Sequence, residues 1–236
     1  MTTDLAPTQH PPTAAPAPKT PAHQQVYAQL REKILFGDLA PGQAVTIQGL
    51  TQELDAGMTP VREALRRLIA QGALTHQGNR RVSVPALNPD GLEELDFMRK
   101  TLEPELTRRA AARMTDAQIS TLTTCDEVLN TAIAAGDVTG YLTQNYRFHA
   151  LIYAAAQAPI MTATVDRLWL RFGPSLRVVC GRFGTSNLPD KHHDLLNALR
   201  AGDAEAAARA MAEDVSQGMR QIADALSEGQ DPPRFD

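Results

Sequence analysis

The chain has 236 residues, 43% of them hydrophobic, which is enough for one large domain or two small ones. Its 23 Lys and Arg against 27 Asp and Glu give a net charge of −4, which excludes a protein coated all over with basic side chains. No apolar run reaches the about 18 residues of a membrane span, and the first residues do not resemble a signal peptide. Only two cysteines occur, Cys125 and Cys180, so no disulfide framework is expected. We therefore expect a soluble, cytoplasmic protein.

Charge is unevenly distributed along the chain. Residues 24–85 carry seven basic and five acidic side chains, a net charge of +2, whereas residues 86–236 carry 15 and 21, a net charge of −6. A small, weakly basic unit joined to a larger acidic one indicates two tasks in one chain. Residues 1–23 are rich in proline and poor in residues to bury, so we expect an extended tail there.

The basic unit begins with three short helices. From Gln24 apolar residues recur every three or four positions, which predicts a first helix, and a second is expected over Ile47–Leu54. A third is capped by Gly57 or Thr59 and ends at Gly72.

Two short strands, Ala73–Thr75 and Arg81–Val84, then flank a hairpin turn at residues 77–79. This order of elements predicts a winged helix-turn-helix domain over residues 24–85.

The third helix has the pattern of a DNA-reading helix. Arg62 and Arg66 share a face with Thr59, and apolar residues occupy the other side. Arg80 and Arg81 follow the hairpin turn, where they could contact phosphates or the minor groove. The alternative is an ordinary solvated basic helix.

Residues 90–226 are helical in pattern and predict an all-α, six-helix antiparallel bundle, joined by a linker at residues 86–89 and followed by a tail at residues 227–236. N-caps are expected at Asp116, Asp137 and Asp203, and C-caps at Gly136 and Gly202. The candidate helices are Asp90–Met114, Asp116–Ala135, Asp137–Gln157, Ile160–Arg182, Pro189–Arg200 and Asp203–Leu226.

Three segments carry a family resemblance. Residues 34–42, 50–54 and 59–68 read ILFGDLAPG, LTQEL and TPVREALRRL, and Gly78 stands at the wing. In this the chain resembles the GntR family of bacterial transcription regulators. The resemblance implies a dimer that binds a palindromic operator, most often as a repressor.

The resemblance is imperfect at the DNA-contacting positions. The family usually has Ser or Thr, then Arg, before Thr59, but this chain has Gly57 and Met58, and Gln48 replaces a frequent arginine. We therefore expect an operator of divergent sequence, with Arg62 as the strongest single contact. The implied DNA-binding residues are Gln48, Gly57, Met58, Thr59, Arg62, Arg66, Gly78, Arg80 and Arg81.

The acidic half resembles the sensing domain of the FadR-type branch, known as the FCD domain. Glu93-Glu94-Leu95, Arg99 and Glu103 in the first helix carry the likeness, with Phe148-His149 and His192 further on.

Many members of this branch hold a divalent metal, and the matching positions here are Asn145, His149, His192 and Asp214. The residues Asn145 and His149 are i,i+4 on one helix face. His192 and Asp214 are about equally far from the turn at Ala201-Gly202, so an antiparallel helix pair would bring them level. Two imidazoles and two oxygen ligands suit zinc, nickel or manganese. Alternatively, the histidines merely line a cavity.

The resemblance also implies a small effector, an organic acid, bound near Arg99, Asn145, His149 and His192. Arg99 could instead form an ordinary surface i,i+4 pair with Glu103. Trp169 and Tyr146 either line the pocket or belong to the core.

Three functions follow. The favoured one is an effector-responsive transcription regulator, a homodimer and not an enzyme. A metal-dependent helical enzyme using His149, His192 and Asp214 is disfavoured, because no Glu accompanies the histidines as in H-E-x-x-H. An architectural DNA binder without an effector is the third.

Overall fold

A computed structural model describes residues 20–77, 81–184 and 191–228. Within these residues the chain is mostly α-helical, as the sequence predicts. It comprises an N-terminal winged helix-turn-helix domain, called the head below, and a C-terminal antiparallel bundle of six helices. None of the described helices is both long and apolar enough to cross a membrane.

The head consists of three helices and a small sheet. Leu30, Leu50 and Leu68, one from each helix, are almost completely buried and form the centre of its core. The strands are antiparallel in the order β1-β3-β2. The elements are α1 (Ala22–Leu35), β1 (Ala44–Thr46), α2 (Ile47–Glu53), α3 (Met58–Ala70), β2 (Thr75–His76) and β3 (Arg81–Ser83).

The small sheet differs from the prediction in two ways. Strand β1 was not expected, and three residues are too short to show the alternation that marks a strand. The strand predicted over Ala73–Thr75 is Thr75–His76 instead, because Ala73 and Leu74 are fully buried in the core before the ladder begins. The tip of the hairpin, with Gly78 and Arg80, lies outside the described residues.

Helix α3 is capped by Gly57, not by Thr59. Gly57 has extended backbone angles, with φ −67° and ψ 158°, and has no side chain to accept a hydrogen bond from the helix. By contrast, the Thr46 side chain caps α2 by accepting from the N–H of Gly49 at 3.0 Å.

The bundle packs its long first and last helices, α4 and α9, against each other, and α8 joins α9 through a short turn. Asp137 and Asp203 cap their helices as predicted. Asp116 does not, because Thr115 makes a reciprocal capping box with Gln118. The start predicted for α8 at Pro189 lies outside the described residues. The helices are α4 (Pro89–Ala111), α5 (Asp116–Ala135), α6 (Val138–Ala155), α7 (Pro159–Phe183), α8 (His192–Arg200) and α9 (Ala204–Glu228).

Candidate DNA-binding surface and buried histidine–aspartate site

Helix α3 turns a basic face outward. Its apolar residues, from Val61 to Leu68, are buried against α1 and α2, which leaves Thr59, Arg62 and Arg66 exposed. The third arginine of this helix, Arg67, is diverted from that face, since its guanidinium lies 3.7 Å from the ring centroid of Tyr27. The outward basic face of α3 is therefore formed by Arg62 and Arg66.

Other expected DNA-contacting residues in the described part of the head are also exposed: Gln48, Gly57, Met58 and Arg81. Met58 is 52% exposed, which is unusual for a large apolar side chain. An open groove of about 450 Å³ runs between α3 and the sheet, lined by Arg62, Arg66 and His76 among others. His76 had no signal in the sequence because its place beside α3 depends on how the hairpin folds back.

A cluster of three ligand-type side chains lies inside the bundle. His149 of α6, His192 of α8 and Asp214 of α9 bring ligand atoms within 4.8 Å of one another. Nε2 of His149 lies 3.3 Å from Oδ2 of Asp214. Asn145, one turn before His149, is buried and lines the same cavity. The structure thus brings together the four residues that the sequence suggested as ligands.

The ring of His192 is fixed by two contacts. Its Nδ1 lies 2.9 Å from Oδ1 of Asp126 on α5, and the ring stacks on Phe148 with centroids 3.8 Å apart. A carboxylate at Nδ1 favours the proton there, which leaves Nε2 as the nitrogen that His192 would offer to a metal. Asp126 was missed by sequence reasoning, because nothing in its spacing connects it with α8.

The ring of His149 is fixed through a chain of hydrogen bonds. Tyr153 donates its hydroxyl proton to Oε2 of Glu103 at 2.6 Å, and the same hydroxyl lies 3.2 Å from Nδ1 of His149. Since the single hydroxyl proton goes to the carboxylate, Nδ1 of His149 must donate to the tyrosine oxygen. Nε2 of His149 then faces Asp214, and the position between them takes a proton or a metal ion.

Two pKa shifts determine the protonation of Asp214 and Tyr153 at this site. Burial opposes ionisation of Asp214, but the hydrogen bond from His149 and the charges of His149, His192 and Arg99 lower its pKa to about 2. Burial and the neighbouring Glu103 raise the pKa of Tyr153 well above its usual value, so it remains a neutral donor. Asp214 therefore remains an ionised carboxylate throughout the physiological range.

The donor set suits a divalent transition metal. Two imidazole nitrogens and a carboxylate are ligands that zinc, nickel and manganese accept. The 3.3 Å separation of His149 Nε2 and Asp214 Oδ2 is close to the roughly 3.4 Å expected for two ligands about 2.1 Å from a tetrahedral zinc ion. The residues present therefore fit a metal ion.

Arg99 lies in the cavity wall and not on the surface. It is 4% exposed and pairs with Glu103, Nε to Oε1 at 2.5 Å, while its guanidinium lies 3.8 Å from the ring centroid of Phe172. The pair with Glu103 expected as one alternative is real, but it is buried. Burial opposes the charge of Arg99, and Glu103 nevertheless holds its pKa above the usual value.

The rest of the cavity wall consists of apolar side chains and of side-chain amides. Gln217 and Gln221 project from α9 at helical spacing from Asp214, a periodicity that could have identified them. Tyr146, considered as a pocket residue, is not among the residues lining this cavity. The volume of this partly open cavity is only about 40 Å³, room for roughly three waters at 10–15 Å³ each. A metabolite larger than that would need the walls to move. The other residues lining the cavity are Tyr141, Trp169, Phe172, Leu176, Gly218 and Ile222.

A winged-helix head joined to a helical bundle with a His/Asp cavity defines a class of protein: DNA-binding transcription regulators with a C-terminal sensor domain. Residues 22–84 match the family described as bacterial regulatory proteins, gntR family, and residues 94–217 match the FCD domain. The chain belongs to the GntR family and carries an FCD domain.

Known proteins of similar sequence match this chain along most of its length. It is 30% identical over 198 residues to the HTH-type transcriptional regulator McbR of Escherichia coli K12, covering 83% of this chain and 90% of McbR. It is 26% identical over 212 residues to the transcriptional repressor RspR of the same organism, covering 87% and 92%. The solved structure of E. coli McbR/YncC superposes with a TM-score of 0.83 at 28% identity, covering 90% of this chain and 100% of that one. The chain is therefore a transcription regulator and not an enzyme.

Proposed function

We propose that this regulator is a homodimeric repressor that binds a palindromic operator and responds to a small carboxylate held at a metal site in the bundle. Residues 24–85 read DNA, residues 86–89 link, and residues 90–226 sense the effector and dimerise. Since its target is chromosomal DNA, it acts in the cytoplasm. The observation that carries the proposal is the cluster of His149, His192 and Asp214 inside the bundle. Asp126 and Tyr153 contact the Nδ1 atoms of the two histidines and so orient their rings. The same chain also carries a helix with the pattern of a DNA-reading helix.

On the DNA side, Arg62 supplies the main base contact and Arg66 and Arg81 supply phosphate contacts. All three are exposed. Arginine pairs bidentately with guanine in the major groove, whereas phosphate contacts add affinity and salt dependence without specificity. Two heads related by a two-fold axis would read half-sites about 34–36 Å apart or a multiple of that distance. The name of the relative RspR, a repressor, favours repression.

In the sensing domain, the charge around the cavity explains why an acid effector would need a bound metal ion. Among the described residues at the site, three acids are set against the arginine Arg99: Asp214 in the cavity wall, Glu103 paired with Arg99, and Asp126 beside His192. The acids are therefore in excess by two charges before any proton on the histidines is counted. An acid effector would be repelled by that excess, and a bound divalent ion cancels it. When bound, the ion supplies positive charge and open coordination positions to the effector carboxylate. The residues that would hold it are His149, His192 and Asp214, with the Asn145 amide as a weaker ligand.

Selection of binding sequences from a random pool of DNA duplexes tests the DNA half of this proposal. We expect a two-fold symmetric consensus, and its loss when Arg62 is replaced, Arg62→Ala. An exposed arginine of the bundle, Arg209→Ala, is the control and should select the same consensus. An asymmetric or absent consensus with the unaltered protein, or a monomer in analytical ultracentrifugation, would contradict the proposal.

Thermal unfolding of the full chain in a panel of small carboxylates, with and without added Zn²⁺, tests the sensing half. We expect stabilisation by at least one acid only when zinc is present, and loss of that response in His149→Ala. Ligand that binds the folded state at 100 times its Kd stabilises by about 2.7 kcal/mol. Equal responses with and without zinc would refute a metal-dependent effector site.

A further inference from the structure

The exposed side of α3 carries two rows of side chains. In one row the side chains contact α1 of the same head: Oε2 of Glu63 lies 4.0 Å from Nδ1 of His23, and the guanidinium of Arg67 lies 3.7 Å from the ring centroid of Tyr27. The second row, called the outer row below, stands four residues apart along the helix, so its members lie on one line, and all of them are exposed. The outer row is Met58, Arg62 and Arg66.

The first member of the outer row is apolar. Met58 is 52% exposed, and of the large exposed apolar side chains in the described part of the chain it is the one that belongs to the head. A single exposed apolar residue is common on protein surfaces and indicates little by itself. The position of Met58 is informative, because the first residues of the second helix in a helix-turn-helix contact base edges in the major groove.

The start of α3 is slim enough to approach the bases closely. Its N-cap, Gly57, has no side chain, and the nearest atoms to a Cβ placed there would be Cδ and Cγ of Pro60, at 3.6 and 3.8 Å. A glycine permits close approach of the backbone to a ligand. Met58 is therefore the first side chain of α3 that a base pair would meet.

The major groove offers such a side chain one apolar feature, the C5-methyl group of thymine. Guanine, adenine and cytosine present hydrogen-bonding groups there. Methionine has no N–H or O–H to donate, so it cannot form the paired hydrogen bonds that an arginine makes with guanine. Its flexible, polarizable thioether can instead pack on a methyl group.

We propose that Met58 reads a thymine in each half-site of the operator by packing on its C5-methyl group. The proposal rests on the proposed operator-binding function and adds a specificity-determining residue to it. Met58 and Arg62 are four residues, or about 6 Å, apart along α3. Since base pairs are about 3.4 Å apart along the duplex, the thymine lies within about two base pairs of the base that Arg62 contacts.

Replacement of thymine by deoxyuridine, which lacks only the C5-methyl group, tests the proposal. In the consensus duplex that the full chain selects, each symmetry-related pair of thymines is replaced in turn, and the affinity is measured by fluorescence anisotropy. We expect one pair of positions at which the replacement weakens binding by about fourfold per half-site, the value for losing one buried methyl group. The two half-sites together should then lose about 15-fold, because separated positions contribute additively.

Substitutions in the protein assign the effect to Met58. Met58→Ala should bind the thymine and deoxyuridine duplexes equally, and Met58→Leu, which keeps a large apolar side chain, should retain the preference for thymine. Arg66→Ala, in the same row, is the matched control: it should weaken binding to both duplexes alike and leave their ratio unchanged. Thr59→Ser removes the neighbouring methyl group and should also leave the ratio unchanged. Because Met58 is exposed, Met58→Ala should unfold at the same temperature as the unaltered protein.

Three results would overturn the proposal while leaving operator binding intact. They are a symmetric consensus in which no thymine pair responds to deoxyuridine, a thymine preference that persists in Met58→Ala, and a preference that is lost in Thr59→Ser instead. The absence of any symmetric consensus would refute the operator-binding function itself, and the thymine contact with it.

Discussion

Oδ1 of Asp126 lies 2.9 Å from Nδ1 of His192, although the two residues are 66 positions apart and sit on α5 and α8. The carboxylate fixes both the tautomer and the angle of the imidazole, and Phe148 stacked on the ring prevents it from rotating. Such a contact has a clear purpose if His192 offers its other nitrogen to a metal ion.

Removing that support should weaken metal binding. We expect Asp126→Ala to lower zinc affinity by about 10- to 100-fold, the usual effect of losing a carboxylate behind a histidine ligand. Isothermal titration with Zn²⁺ measures the change. Glu127→Ala, an exposed acid next along α5, is the control and should bind as the unaltered protein does. Equal zinc affinities for both variants would contradict a role for Asp126 in supporting His192.

Removing one partner of the buried pair of Arg99 and Glu103 should destabilise the fold more than replacing both. Glu103→Gln leaves the Arg99 charge buried without its counterion, so we expect the free energy of unfolding to fall by about 3–5 kcal/mol. The double variant Arg99→Met/Glu103→Leu should recover most of that loss. Arg109→Gln, in a solvent-exposed i,i+4 pair, should change it by less than about 1 kcal/mol. Urea denaturation measures all three, and a double variant as unstable as Glu103→Gln would contradict the expectation.

The two cysteines should be inert in the native state. Burial raises the pKa of Cys180 to about 12 and also raises that of Cys125. Because the folded pKa is raised, only about one Cys180 side chain in ten thousand is a thiolate at pH 8, and thiolate is the reactive form. Reaction with an aromatic disulfide reagent at pH 8 should be very slow, and unfolding in urea should expose both thiols. Rapid labelling of the folded chain would contradict the burial of these side chains.

Met58 stands where the family resemblance implies a DNA-contacting arginine. Met58→Arg adds a cation at the start of α3, on a side chain that is 52% exposed and free of core packing. We expect tighter DNA binding and a salt dependence steeper by about 0.9 in log–log slope, the value for one further phosphate contact. Ile160→Arg adds the same charge to an 84% exposed apolar site in the bundle and should leave both quantities unchanged. Equal gains in the two variants would mean that the effect is one of net charge alone.

Much of the architecture could be predicted from the sequence because helices leave a local signature. The limits of α5 were predicted to the residue, since apolar periodicity and a terminal Gly136 are read within a few positions. The grouping of Asn145 with His149 followed from helical spacing, and that of His192 with Asp214 from the short turn between α8 and α9.

The contacts that the sequence did not predict depend on which helices pack together. The contact of Asp126 with His192 and that of Arg31 with Asp166 join residues 66 and 135 positions apart, and no local pattern specifies either. The place of Arg99 was left open for the same reason. An i,i+4 pair with Glu103 looks identical in sequence on a surface and in a core, and only the packing of α4 against α7 and α9 decides it.

The most direct test of the central claim is a fluorescence anisotropy titration of the protein against DNA from upstream of its own gene, in a series of salt concentrations. Scrambled DNA of the same length is the control, and Arg62→Ala is the matched variant. A sequence-specific regulator should bind the native duplex at least about 1,000-fold more tightly than the scrambled one, with affinity falling steeply as salt rises. Arg62→Ala should remove most of that preference. Equal binding of the native and scrambled duplexes by the unaltered protein, or no binding to either, would contradict the account.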